Sequence, residues 1–126
     1  MKINILYSVA ALHEAAAYIW DNNPRVPVWS PSPKSPIDIV KMIHGMMIKQ
    51  ALYNAKVIMK EKRLEMELPE EWGSFVGTGG FYIAFELQDV NEEEINIGVD
   101  ILVDPAIASN IKGFVTEVID MSEEEV

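Results

Sequence analysis

Only His13 and His44 could act as bases or nitrogen metal ligands near neutral pH. His13-Glu14 lacks the second histidine, four residues on, that a helical HExxH zinc site requires. His44 stands between apolar neighbours in a long helical stretch, which predicts a core or boundary position and not a catalytic one. Cysteine is absent, so no disulfide, zinc–thiolate or thiol chemistry is available. No GxSxG turn presents a serine nucleophile. Gly77-Thr78-Gly79-Gly80 could offer backbone N–H groups to an anion. The Lys-Ser/Thr of a phosphate loop does not follow, and the next stretch reads as a strand, so a turn or bulge is expected. Glu86, Asp100 and Asp104 read as outward carboxylates that could hold a hard cation, but their spacing is not that of a calcium loop. The expectation is no catalytic residue, no metal and no cofactor.

The elements that would carry these residues are easier to read. Ile37–Arg63 has no proline and good helix formers at most positions. At about 100° per residue, Asp38, Gly45, Lys49, Lys56, Lys60 and Arg63 fall on one narrow polar stripe. The remaining circumference is almost wholly apolar, which predicts a core helix with one seam to water. Ser35 is placed to cap it, with Pro36 in its first turn. Before it, KINILY over 2–7 reads as a strand and Val9–Asp21 as a helix capped by Ser8. The alanines of that helix permit close approach to a neighbour. The proline-rich stretch from Pro24 to Pro36 forbids a helix and reads as a crossover anchored by Trp29.

After Arg63 the period changes to alternation. LEMEL over 64–68 predicts a strand with Leu64, Met66 and Leu68 on one side. Phe81, Ile83, Phe85 and Leu87 point inward in the next run. Ile95, Ile97, Val99, Ile101 and Val103 do so in the one after. A polar loop over 89–94 joins the two into an antiparallel hairpin. Asp104-Pro105 starts a short helix over 105–110. Residues 114–120 read as a final strand, with helical spacing of Ile111, Phe114, Val115, Val118 and Ile119 as the competitor. The architecture is α+β: two N-terminal helices, one long and central, packed on one face of a mostly antiparallel sheet. Residues 1–121 form a single domain and 122–126 an acidic tail.

Order and spacing also carry a fold-level resemblance. A strand, two helices and then strands ending in Val103-Asp104-Pro105 resembles the first half of a GCN5-type acetyltransferase. That family reads the acyl-CoA pyrophosphate through a basic, glycine-containing turn after that strand. Here AIASNIKG stands there, with no arginine and one glycine. The resemblance would imply a truncated acetyltransferase-like half-fold.

Charge gives the main functional expectation. Residues 1–63 carry nine Lys/Arg and four acids, a balance of +5. Residues 64–126 carry one Lys and sixteen acids, a balance of −15. Such segregation fits solubility and attraction between the helical and strand layers, or an acidic face made for a basic protein partner, and it disfavours nucleic acid. The expected interaction surface comprises Tyr82, Glu86, Glu92, Glu93, Glu94, Asp100 and Leu102. The reading is a small, acidic, non-catalytic interaction protein of accessory or inhibitor type, the sort a virus or mobile element carries. It binds another protein or pairs with itself as a homodimer. One alternative is a small enzyme or ligand-binding domain using Gly77–Gly80 with His44 or the outer carboxylates. Another is a nucleic-acid mimic. Lys2 followed by INILYSVAAL loosely resembles a secretory signal, but His13 and Glu14 interrupt it. No apolar run reaches the ~18–20 residues of a membrane span, so the expected location is the cytoplasm.

Overall fold

The computed structural model describes residues 1–22, 33–67, 81–103 and 114–121. Trp29, Trp72, Gly77–Gly80, Asp104, the expected 105–110 helix and the 122–126 tail lie outside the described residues. The order is β1 (Lys2–Ser8), α1 (Val9–Asn22), α2 (Pro36–Glu61), β2 (Phe81–Val90), β3 (Glu94–Val103) and β4 (Phe114–Asp120). The strands form one sheet in the order β2-β3-β1-β4. β2–β3 and β1–β4 are antiparallel, and β1–β3 is parallel. The class is α+β with a mostly antiparallel sheet, as the sequence predicts.

The alternation in the strands produces the core. Ile3, Ile5 and Tyr7 of β1 lie opposite Ile95, Ile97 and Val99 of β3, and all six are buried. They join one cluster with Ala11, Leu12, Ala15, Ala16 and Ile19 of α1 and Ile39, Ile43, Met47, Ala51 and Ala55 of α2. The α2 residues recur every fourth position, the row that one helix presents to its neighbours. Small side chains on both helices let α1 and α2 pack together. Met42, Met46 and Met59 fill the margin of the same core.

Local signals hold unevenly. Ser8 caps α1 as expected, its Oγ accepting the Ala11 N–H at 3.1 Å. Ser35 precedes α2 but makes no side-chain cap. The Lys34 N–H donates instead to Asp38 Oδ2 at 2.9 Å, and the Asp38 N–H to the Ser35 carbonyl at 3.1 Å. The helix stops at Glu61, two residues short of the expected end. Lys62 takes the left-handed conformation (φ 59°) and its N–H closes on the Ile58 carbonyl at 3.1 Å.

That turn removes the expected strand over 64–68. Residues 62–67 are irregular, Leu64 is exposed, and Met66 alone of its set reaches the core, with Leu68 outside the described residues. The physical reason is Asn54, a buried side chain of α2. Its amide accepts the Glu67 N–H at 3.2 Å and donates to the Glu67 carbonyl at 3.3 Å. One side chain thus supplies the pairing that a neighbouring strand would have given. The hairpin loop is also shorter than expected. Asn91 Oδ1 accepts the N–H groups of Glu93 (2.8 Å) and Glu94 (3.0 Å), which closes the turn at 91–93.

Ile101→Ala should cost ~2–5 kcal/mol in urea unfolding, as truncation of a buried side chain. Phe85→Ala, at a half-buried position on the same core, should cost less. Exposed Glu86→Ala should stay within about ±0.5 kcal/mol. Equal losses at 101 and 86 would contradict this register.

Candidate functional site

One polar cluster lies on the core-facing side of β1 and β4. Register places Glu117 opposite Ile5, between the partners of Ile3 and Tyr7. The Tyr7 hydroxyl donates to Glu117 Oε1, and His44 Nε2 meets the same oxygen at 2.5 Å. Facing a carboxylate, Nε2 carries the proton. The Tyr7 and His44 rings lie 5.6 Å apart, inclined at 59°. Tyr7 is buried, whereas the His44 and Glu117 side chains are about one third exposed (36% and 34%). Burial, then the hydrogen bond and charge of Glu117, push the Tyr7 phenol up to about 12. Burial draws the Glu117 carboxyl upward, but the hydrogen bonds from Tyr7 and His44 and the charge of His44 outweigh it and hold it low.

The chemistry open to this cluster is narrow. A phenol so reluctant to ionise is no neutral-pH base. The single carboxylate oxygen spends itself on two donors. Among the described residues no three His, Asp or Glu side chains group to hold a metal. The arrangement works as a clamp that fastens α2 to β4. Sequence reading places His44 at the core boundary, where it lies. It misses the partner, because Glu117 stands seventy-three positions away and nothing local marks the pair.

The expected interaction surface is spread along the β2–β3 hairpin. Ala84 pairs with Asp100 and Glu86 with Gly98, so Glu86 and Asp100 are diagonal neighbours. Both are exposed, as are Asp89, Glu92 and Glu93. Glu94 differs: its Oε2 accepts the Asn4 amide at 2.8 Å, and that amide also reaches Asn96 Oδ1 at 2.7 Å. For Tyr82 and Leu102 the structure describes the backbone alone. Their pairing sets them opposite one another on β2 and β3.

The two edges of the sheet differ. β2 is interrupted between Leu87 and Asp89, leaving Gln88 as an extra residue. A Cβ at Gly98 would come within 2.6 Å of the Gln88 side-chain nitrogen, so Gln88 lies over that glycine. A bulge amid acids is a usual protection of an open edge. β4 pairs with β1 without a shift from Ser8↔Phe114 to Lys2↔Asp120. It has no lysine, proline or bulge. Phe114 and Val118 are 63% and 58% exposed, and Val115 37%.

Backbone direction follows from two hydrogen bonds. The Lys2 N–H donates to the Glu93 carbonyl and the Met121 N–H to the Met1 carbonyl. Even residues of β1 therefore bond toward β3 and odd ones toward β4. Val115, Glu117 and Ile119 turn their polar backbone groups to β1. Phe114, Thr116, Val118 and Asp120 turn theirs to the edge that no described strand covers.

A cleft of about 810 Å³ lies where the end of α2 meets the β2–β3 turn. Met1, Ile58, Met59, Leu64, Val90 and Ile95 give its apolar lining, and Lys62 and Glu92 add opposite charges. Comparison of the chain with protein families, curated proteins and solved structures found no match.

The clamp has a pH signature. Glu117, held low in the fold, contributes stability that is present above the ordinary carboxyl value of 4.5 and lost as pH falls through its folded value. Glu117→Gln should therefore lower stability at pH 7 by about 1–2 kcal/mol and flatten the acid limb of urea melts taken across pH. Tyr7 has the opposite sign: its contribution is full below pH 10 and lost as pH rises toward about 12. Ultraviolet titration should show a phenol ionising near pH 12, and this late step should vanish in Tyr7→Phe.

Proposed function

We propose that this is a small, acidic, non-catalytic interaction protein of accessory or inhibitor type, whose β2–β3 hairpin presents carboxylates to a basic protein partner. One observation supports it most. Among the described residues the ion pairs are His44–Glu117 and those of Arg63 with Glu61 and Glu67. None joins Lys41, Lys49, Lys56 or Lys60 of α2 to the acids of the hairpin. Among the described residues the hairpin acids are thus not paired with the lysines of α2, and Glu86, Asp89, Glu92, Glu93 and Asp100 are exposed to water. A one-sign surface of this kind raises the rate of encounter with an opposite charge.

Other features fit the reading. A net charge of −10 repels phosphate backbones. No described helix is long and apolar enough to cross a membrane. A chain without cysteine suits a reducing compartment, so a cytoplasmic protein accords with the proposal. The cleft favours a second reading, a ligand-binding domain, because its volume falls in the range of small-molecule sites.

Affinity capture from the source cell, followed by stopped-flow association with the recovered partner, tests the proposal. The on-rate should fall steeply with salt while the off-rate changes little. Changing Glu86, Glu92 and Glu93 together to Gln should slow association several-fold without altering the urea midpoint. Glu94 is left intact, because Asn4 depends on it. A salt-independent on-rate, unchanged in the triple variant, would remove the steering role.

A further inference from the structure

We infer that the open edge of β4 is an interface for a second copy of this chain, paired antiparallel about a two-fold axis at Thr116. The inference extends the interaction reading above to a different edge of the sheet. The two edges contrast: β2 carries a bulge at Gln88, while β4 is regular, free of lysine and proline, and bears exposed apolar side chains at Phe114, Val115 and Val118. Unprotected edges of that kind pair with other strands.

Register selects the partner. Among the described residues no strand takes up the backbone groups of Phe114, Thr116, Val118 and Asp120, so a hydrogen-bonded antiparallel mate must present an even set in turn. β4 meets this condition against itself. An axis through Glu117 would set two carboxylates directly opposite, a destabilising pair. An axis through Thr116 sets Thr116 against Thr116 of the second copy and Phe114 against its Val118. Both are favourable cross-strand combinations. They cover the two most exposed apolar side chains of the strand.

Charge placement agrees. In this register Glu117 faces Val115 of the second copy, and its oxygen is already engaged by Tyr7 and His44. The two Asp120 residues stand eight positions apart along the strands. At roughly 3.4 Å per position that is about 27 Å, several Debye lengths at physiological salt. The acidic hairpins end at the far edges of the resulting eight-stranded sheet, where repulsion between copies is least and a basic partner still has access.

Sedimentation equilibrium over micromolar concentrations should show a dimer. Thr116→Pro should convert it to monomer with an unchanged circular dichroism spectrum, because that N–H points away from the β1 ladder. Val118→Glu, which keeps the backbone and adds like charge, should do the same if proline disturbs the strand. The chain has no cysteine, so single-cysteine variants report cleanly. Thr116→Cys should cross-link with a short bismaleimide, whereas Glu86→Cys on the opposite edge should not. Phe114→Cys mixed with Val118→Cys should cross-link better than either alone. A monomer throughout, a dimer indifferent to both β4 variants, or preferred linkage through residue 86 would overturn the inference. A monomer that keeps salt-steered binding would leave the proposed function standing and remove only the self-pairing.

Discussion

Everything in this molecule hangs on β1. Its odd side chains are buried, and both of its edges are spent, one on β3 and one on β4. The bond to β3 is parallel, and a parallel pair cannot be joined by a tight turn. The intervening chain must cross over the sheet, and it does so carrying both helices. The apolar stripes of α1 and α2 therefore find Ile3, Ile5 and their β3 neighbours as a ready surface. Ser8 ends the strand and caps the next helix in one step, so sheet and helix layer are fixed to each other at a single residue.

Tyr7 extends that control to the edge. Standing one residue before the cap, it reaches Glu117 of β4, and His44 of α2 arrives at the same oxygen. The last strand is thus held by its ladder on one side and by a helix on the other. Among the described residues this leaves Phe114, Val118 and the outward backbone groups of β4 uncovered by any strand, while Glu86, Asp89, Glu92, Glu93 and Asp100 lie on the hairpin at the other end of the sheet. Two surfaces of unlike chemistry are kept apart by the width of one sheet.

Much of this was legible. Alternation at Ile83–Leu87 and Ile95–Ile101 identifies β2 and β3 and the side each residue faces, because burial on one face writes itself as period two. The length of α2 follows from its apolar circumference. The competition over 114–120 resolves to a strand, since β-branched residues paired with β1 outweigh a helical spacing that has no core to meet. What stayed hidden was non-local. Asn54 looks like an ordinary polar residue inside a helix, and nothing nearby announces that it will take over the backbone of Glu67 and cancel a strand. The parallel β1–β3 pairing, the Gln88 bulge and the Glu117 cluster all depend on which segments meet, and periodicity says nothing about that. The Asn91 turn was readable in kind but not in length.

The pairing of Lys2 with Asp120 also has a consequence in time. The central strand is made first, and one of its two neighbours is made more than a hundred residues later. At a synthesis rate of ~5–20 residues per second, β1 waits roughly 6–24 s on the ribosome before its second edge is covered. During that interval a strand of Ile3, Ile5, Leu6 and Tyr7 offers an open apolar edge to any other nascent chain. The pairing of β1 with two strands distant in sequence further slows closure once synthesis is done.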